Sequence, residues 1–349
     1  MNLPPELTQI QVVVTHSCRR ICGYCYNKKL FQSTVPEHTK VIESLVHALN
    51  LVASPIVVEV IGGEPLDSEI IQLTEDTLRI AHSHSQCSKT ILCTAVCEPT
   101  RIQSLLSNVN YIYLSIDPSI HEHNAKKINN RKLSQVVEIA TRHDIGLSVS
   151  AVLSGDETQA ELKDFIDHLA QAGINKVGFD YPSIIPLSSS EIQNFVEQFY
   201  WLYQLRLAYQ DVIEIHGMPL KNIDLYITGY SRICYCTCGR NTVVIEPNGE
   251  ITMGLCFDHT KEIPADWRVL REQLDVRQMN LQNSEPCQSC NLWNVCYGGC
   301  SARGESYHTG TAGRDRTACD ILRGIAYFVD QDRQHLVGEF VNSLQGVDE

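Results

Sequence analysis

The first part of the chain alternates between two spacings of its apolar side chains. Short β-branched and aromatic runs, bounded by Gly, Pro, Asp and Asn, are typical of strands. They predict six strands, at residues 9–15, 56–61, 90–95, 111–116, 146–153 and 176–180. Between them, apolar positions spaced by three and four predict helices. These lie at residues 39–51, 68–82, 133–143, 161–172 and 190–209.

This β–α alternation predicts an α/β fold. Strands separated by helices run parallel and are joined by right-handed crossovers. Their carboxyl ends therefore meet at one edge, where the loops of such folds build active sites. Periodicity alone leaves two architectures open, a doubly wound sheet and a barrel.

The pattern changes after residue 228. Residues 242–253 predict a hairpin that turns at Asn248-Gly249, and a long helix is expected at 321–344. Cysteines become dense from about residue 230, in a region with few long apolar segments that needs metal ions to hold its shape. We therefore predict two domains, residues 1–228 and residues 229–349.

The composition of the chain indicates which compartment, partners and metal chemistry to expect. The chain has 349 residues, 15 cysteines and a formal net charge of −13. The amino terminus shows no secretion signal and no apolar run approaches the roughly 20 residues of a membrane span. We expect a cytoplasmic protein with neither a membrane nor a nucleic acid as partner. Thiols stay reduced in that compartment, so clustered cysteines indicate metal binding rather than disulfides.

Three of these cysteines follow the first strand directly. Cys18, Cys22 and Cys25 supply three thiolates within eight residues. Three thiolates hold three irons of a 4Fe-4S cluster and leave the fourth iron open for chemistry. The alternative is an incomplete zinc site, to which His16 would add a fourth ligand.

This loop resembles the signature of radical S-adenosylmethionine (SAM) enzymes, C-x3-C-x2-C with an aromatic residue, Tyr24, before the last cysteine. The resemblance implies a partial (β/α)6 TIM-like barrel, a cluster that binds SAM, and a 5′-deoxyadenosyl radical that abstracts hydrogen. Further positions match the family's SAM-binding motifs in order. They are Gly62, Gly63 and Glu64 for the methionyl amino group, Ser115 and Asp117 for the ribose, and Leu153 and Tyr24 for the adenine.

The carboxyl-terminal cysteines resemble the SPASM extension, which carries two auxiliary 4Fe-4S clusters and brings the expected total to three. The resemblance assigns Cys287, Cys290, Cys296 and Cys319 to an outer cluster, and Cys238, Cys256 and Cys300 to an inner one. Cys234 is the preferred fourth inner ligand, with Cys236 or an open iron as alternatives. Six residues separate Gly249 from Cys256 where the family has four, which leaves Cys256 in doubt. Structural zinc is the alternative for the whole region.

The two resemblances together imply an enzyme that matures a ribosomally made precursor peptide, by cross-linking, decarboxylation or residue excision such as tyramine splicing. One alternative is an anaerobic sulfatase-maturing, formylglycine-generating enzyme. The other is a non-catalytic iron–sulfur or zinc scaffold. Only 17 residues precede Cys18, so we expect a separate small leader-recognition protein. We also expect an electron donor such as flavodoxin or ferredoxin. Cys87, Cys93 and Cys97 match no family position and are predicted to be core thiols. Glu59 either faces substrate or is a solvated strand residue.

Overall fold

The computed structural model describes residue 3 and residues 6–20, 22–25, 35–118, 130–182, 187–231, 240–252, 267–300 and 313–345, with side chains to residue 332. Its strands are Gln9–Val13 (β1), Ile56–Ile61 (β2), Cys87–Thr94 (β3), Tyr111–Ser115 (β4), Gly146–Val152 (β5), Lys176–Asp180 (β6), Glu214–His216 (β7), Thr242–Ile245 (β8) and Ile251–Thr252 (β9). Its helices are His38–Leu51 (α1), Ile71–Ser83 (α2), Pro99–Gln103 (α3), Asn130–Arg142 (α4), Gln159–Gln171 (α5), Ser189–Tyr209 (α6), Met218–Thr228 (α7), Trp267–Gln282 (α8), Trp293–Cys296 (α9) and Arg316–Gln345 (α10).

The strands form one sheet in the order β7-β6-β5-β4-β3-β2-β1-β8-β9. Each neighbouring pair is parallel except the last, β8 and β9, which form an antiparallel hairpin. Within the described ranges β7 and β9 are the two edges, so the sheet stays open. The α/β class and all six predicted strands are confirmed, and β7 extends them.

The two faces of the sheet differ in polarity because side chains alternate along each strand. Ile10, Val12, Val58 and Val60 are fully buried and belong to the main core, together with apolar residues of the surrounding helices. The opposite face, which we call the inner face, carries partly buried polar side chains such as Gln11 and Glu59.

The helices begin and end at recognisable signals. Thr158 and Ser188 form capping boxes with Glu161 and Glu191 at the starts of α5 and α6, which satisfies backbone N–H groups that the helix cannot. Helix α7 ends at Gly229 in the left-handed conformation that glycine favours. This end coincides with the predicted domain boundary at residue 228, which stays a prediction.

Two contacts join the carboxyl-terminal part to the sheet. The predicted hairpin is present, and its first strand, β8, pairs with β1 from Gln9↔Thr242 to Val12↔Ile245. Helix α10 lies on α6 and α7, where Tyr200 donates a hydrogen bond to Asp332 at 2.7 Å and Tyr226 donates one to Asp330 at 2.9 Å. The hairpin therefore continues the sheet of the predicted first domain.

No helix in the described part of the chain combines the length and the apolar character that a bilayer crossing requires.

Candidate functional site

The loop that carries the first three cysteines lies against the end of β2. The backbone N–H of Gly63 donates to the carbonyl of Thr15 at 2.6 Å, and that of Glu64 donates to the carbonyl of Ser17 at 3.0 Å. Val14 donates to Ile61 at 3.0 Å in the same ladder. The parallel pairing of β1 and β2 thus continues past both strands and fixes the start of the cysteine loop.

Gly62 and Gly63 are required by this close approach. A Cβ atom on Gly63 would lie 2.0 Å from the carbonyl oxygen of Ser17, and one on Gly62 would lie 2.5 Å from that of Thr15. Gly62 also has φ +154°. The family resemblance assigns these glycines to the methionyl group of SAM, whereas the contact that excludes a side chain here is made with the cysteine loop itself.

The carboxylate of Glu64 is buried and fully engaged within the protein. It accepts hydrogen bonds from the hydroxyl of Thr94 at 2.5 Å and from the backbone N–H groups of Ala95 and Leu66, both at 3.0 Å. Charge-assisted bonds of this kind are about twice as strong as neutral ones. Glu64 therefore ties the end of β2 to the end of β3.

Arg20, which the sequence analysis did not single out, connects the loop to the next two strands. Its guanidinium donates to the backbone carbonyl of Ala95, just beyond β3, and to that of Ser115, the last residue of β4, at 3.4 Å. The neighbouring Arg19 is exposed and pairs with Asp67 at 3.0 Å. The sequence does not distinguish Arg19 from Arg20, because the two differ only in the direction in which the folded loop points their side chains.

Tyr24 and Asp117 meet at the end of β4. The phenol of Tyr24 donates a hydrogen bond to one carboxylate oxygen of Asp117, and the backbone N–H of Val152 donates to the other at 2.8 Å. Burial raises the pKa of both side chains, and the carboxylate of Asp117 raises the pKa of Tyr24 further. Asp117 thus joins the cysteine loop, β4 and β5.

The remaining predicted SAM contacts lie at the same edge of the sheet. Ser115 pairs with Ser150 in the register of β4 and β5. Leu153 follows β5 directly and is fully buried in the main core, with its N–H donating to the carbonyl of Asp180 at 2.9 Å. The side chain of Leu153 therefore packs in the main core.

Glu157 was missed by the sequence analysis. Its buried carboxylate accepts from the backbone N–H and the hydroxyl of Ser154, from the N–H of Gly155 and from the side chain of Gln198 on α6. The sequence does carry one signal for it. An acidic side chain two residues after Ser154-Gly155 is spaced to accept hydrogen bonds from the backbone of a turn. Glu157 holds the loop that follows Leu153.

The three thiols of the loop are suited to an iron–sulfur cluster. Cys18, Cys22 and Cys25 are partly exposed at this edge, and Cys18 interacts electrostatically with the other two. Burial is the largest cause that raises the pKa of Cys18, and a bound metal ion would favour the thiolate. A 4Fe-4S cluster matches this donor set, with three irons bound by the three thiolates and the fourth iron open.

A further polar group lies deeper on the inner face. The carboxylate of Glu59 accepts from the amides of Gln9 and Gln11 at 2.6 and 2.8 Å, and the thiol of Cys93 lies 3.0 Å from its other oxygen. Cys93 also contacts a small apolar cluster of Val13, Ile61 and Val244 on the same face. Cys93 is thus a packed thiol as predicted, on the inner face rather than among the helices, and Glu59 is engaged rather than solvated.

The carboxyl-terminal cysteines form a second candidate metal site. Cys287, Cys290, Cys296 and Cys319 line one cavity, together with Trp293, Arg314 and Arg323. Burial raises the pKa of Cys296 to about 12 and that of Cys319 to about 11. Among the described residues, no three His, Cys, Asp or Glu side chains converge on a point where a single metal ion would be held. An iron–sulfur cluster instead binds each thiolate through a different iron. Four thiols around one cavity suit such a cluster.

Cys300 lies just outside this cavity. Its backbone N–H donates to the carboxylate of Asp315 at 3.1 Å, and the same side chain accepts from Ala318 at 3.0 Å at the start of α10. The assignment of Cys300 to the inner cluster stays a prediction. The other inner ligands, Cys234, Cys238 and Cys256, and the alternative Cys236, lie outside the described residues.

Comparisons with known proteins agree with the motifs. No protein-family model matches the chain. The radical SAM cyclopropyl synthase TigE of Paramaledivibacter caminithermalis is 22% identical over 368 residues, which cover 91% of this chain and 73% of the relative.

Two solved structures share the fold. Native anSMEcpe with bound AdoMet has a TM-score of 0.70 at 15% identity and covers 95% of this chain and 100% of its own. Streptococcus suis SuiB bound to the precursor peptide SuiA has a TM-score of 0.62 at 12% identity, over 90% of this chain and 76% of its own. These two likenesses confirm the TIM-like α/β fold that the resemblance implies, and the curated relative is itself named a radical SAM enzyme.

Proposed function

We propose that this chain is a radical SAM enzyme that modifies a peptide, with one SAM-binding cluster and two auxiliary clusters. The observation that carries the proposal is the meeting of five strand ends around one cysteine loop. Cys18, Cys22 and Cys25 lie at the same edge of the sheet as Glu64 and Asp117. Both of these carboxylates are buried and hydrogen-bonded. When bound, the cluster and SAM together supply a 5′-deoxyadenosyl radical that abstracts a hydrogen atom from the substrate.

The residues of the chain supply the positions for this chemistry. We assign Cys18, Cys22 and Cys25 to three irons and the backbone edge at Gly62–Glu64 to the methionyl group. Ser115 and Asp117 are assigned to the ribose, and Tyr24 and the backbone at Leu153 to the adenine. Glu64, Arg20 and Glu157 act through other residues, since each holds a loop in place by hydrogen bonds to backbone groups.

The auxiliary clusters are assigned to the carboxyl-terminal cysteines. Cys287, Cys290, Cys296 and Cys319 would hold the outer cluster. Cys238, Cys256 and Cys300 would hold the inner one, with Cys234 as the preferred fourth ligand. The clusters need a reducing, low-oxygen compartment and a one-electron donor, for which flavodoxin or ferredoxin is suited. We therefore place the protein in the cytoplasm.

A peptide is the proposed substrate class. SuiB is solved with a precursor peptide and anSMEcpe with the Cp18Cys peptide, and both share this fold. The curated relative is named a cyclopropyl synthase, so carbon–carbon bond formation within a peptide is the first reaction to test. Leader recognition is assigned to a separate small protein.

The test is co-expression of the chain with short peptides encoded beside its gene, under anaerobic conditions, followed by mass spectrometry of each peptide. We expect one peptide to lose hydrogen atoms or a fragment in the presence of the wild-type chain, and to stay unmodified with Cys22→Ala. Modification that persists with Cys22→Ala would contradict the proposal.

Formylglycine formation is the second candidate. The anSMEcpe structure covers 95% of this chain at a TM-score of 0.70, against 90% and 0.62 for SuiB. The two reactions differ in their product, because formylglycine carries an aldehyde. Capture of the product by a hydrazide reagent would favour this candidate, and an aldehyde-free product would favour cross-linking, decarboxylation or excision.

A further inference from the structure

The cavity of four cysteines also contains a buried guanidinium. Arg314 lines the cavity with Cys287, Cys290, Cys296 and Cys319. Its Nε and Nη1 atoms are buried, and no described group accepts a hydrogen bond from either of them. Leaving charged donors buried without acceptors is unfavourable, because the hydrogen bonds they made to water are lost and not replaced. A structure that keeps such donors indicates an acceptor that occupies the cavity.

Hydrogen bonds hold the backbone on both sides of Arg314. On one side, Arg277 donates to the carbonyl of Gly313 at 3.0 Å and to that of Gly298 at 3.3 Å. On the other side, the fully buried Asp315 donates its N–H to Gly298 at 2.9 Å and accepts from Ala318. Arg314 therefore stands between two anchored residues.

The other arginine of the cavity differs in its surroundings. Arg323 is exposed on α10, one turn beyond Cys319, and solvent screens its charge. Arg314 instead interacts with the Cys287 thiol inside the cavity. The Arg314 guanidinium is always charged and holds several N–H donors beside four thiols. It is therefore complementary to an anion with sulfur acceptors.

We propose that Arg314 donates hydrogen bonds to the sulfur atoms of the outer auxiliary cluster and thereby raises the reduction potential of that cluster. Reduction adds negative charge to a cluster that its four thiolates already make anionic. A fixed positive charge and N–H donors stabilise the reduced form more than the oxidised form. The inference rests on the proposed function, because it requires that the four cysteines hold a cluster.

The experiment is a reductive titration of the reconstituted full-length protein, followed by electron paramagnetic resonance. Cys290→Ser identifies the signal of the outer cluster, because this substitution replaces one of its ligands. Arg314→Gln removes the charge, Arg314→Lys keeps the charge but loses the Nε donor, and the control Arg79→Gln removes an exposed charge on α2. Iron content is measured for each protein.

We expect Arg314→Gln to lower the midpoint potential of the outer cluster, Arg314→Lys to lower it less, and Arg79→Gln to leave it unchanged. Equal potentials in the wild type and Arg314→Gln at full iron content would overturn the inference. Loss of the outer cluster from both Arg314 variants would also overturn it, since Arg314 would then be needed for cluster retention. Absence of iron from the wild type at this site would instead refute the proposed function, whatever the variants do.

Discussion

The phenol of Tyr24 donates a hydrogen bond to the carboxylate of Asp117, which lies 93 residues later in the chain. Tyr24 stands between the second and third cysteines of the loop, and Asp117 follows the last residue of β4. The bond therefore couples the geometry of the loop to the strand that we assign to the ribose of SAM.

Substitution of Asp117 is expected to weaken SAM binding. Asp117→Ala removes the acceptor for both Tyr24 and the backbone N–H of Val152. Tyr24→Phe removes only the first bond, so its effect is smaller. Loss of buried hydrogen bonds to a charged group costs about 1–3 kcal/mol each, which is roughly 5- to 150-fold in the dissociation constant. Anaerobic calorimetry of SAM binding measures the change.

The matched control for Asp117 is Asp156→Asn, which alters an exposed aspartate in the loop after β5. We expect it to bind SAM as the wild type does. An unchanged dissociation constant in Asp117→Ala would contradict the assignment of this residue to the ribose.

A single methyl group at Gly63 is expected to displace the cysteine loop. In Gly63→Ala the new Cβ would lie 2.0 Å from the carbonyl oxygen of Ser17, so the loop backbone must move. The same change at Gly23 meets nothing within 4 Å, although Gly23 lies between two of the cysteines. After reconstitution we expect Gly63→Ala to lose about four irons, one cluster, and Gly23→Ala to keep them. Full iron in Gly63→Ala would show that the contact is not required.

Much of this arrangement follows from local sequence. The six strands are short runs of β-branched residues, and the motifs at Cys18, Gly62 and Asp117 each follow a predicted strand. Parallel connection alone brings such strand ends together. The candidate site was therefore predictable at the level of which loops meet.

What sequence did not predict depends on tertiary contacts. Arg19 and Arg20 have the same local sequence signal, and only the fold decides which reaches Ala95. Helix α8 was missed because it buries only Leu270, Leu274 and Leu281 in 16 residues, too few for a clear periodicity. The pairing of β8 with β1 joins residues more than 230 apart, which no local pattern encodes.

The neighbouring arginines provide a sharp test of loop anchoring. Arg20→Gln removes the hydrogen bonds to Ala95 and Ser115, whereas Arg19→Gln removes the ion pair of the exposed Arg19 with Asp67. An exposed pair contributes about 0–1 kcal/mol, so Arg19→Gln should behave as the wild type. We expect Arg20→Gln to raise the dissociation constant for SAM about tenfold. Equal effects of the two substitutions would indicate that charge, not anchoring, matters.

The thiol of Cys93 is expected to resist ionisation. Burial raises its pKa well above 9, and the adjacent Glu59 carboxylate raises it further. Because the thiolate is the reactive form, labelling by iodoacetamide at pH 8 should be slow and should quicken only as the pH approaches this raised pKa. Glu59→Gln removes the negative charge, so the pKa falls and labelling at pH 8 becomes faster. Peptide mass spectrometry measures the rate.

Cys87, at the start of the same strand, provides the internal control. Its pKa is also raised by burial, with no contribution from Glu59. We expect its labelling rate to be the same in the wild type and in Glu59→Gln. Parallel acceleration of both thiols would mean that the substitution loosens β3 rather than lowering the pKa of Cys93.

In the proposed function, Cys18, Cys22 and Cys25 leave one iron open for SAM. Quantification of 5′-deoxyadenosine released from SAM by the dithionite-reduced protein tests it most directly. We expect release by the wild type and none by Cys22→Ala, which would keep about eight of the twelve irons in its auxiliary clusters. Iron-loaded wild type that releases no 5′-deoxyadenosine, or equal release by Cys22→Ala, would contradict it.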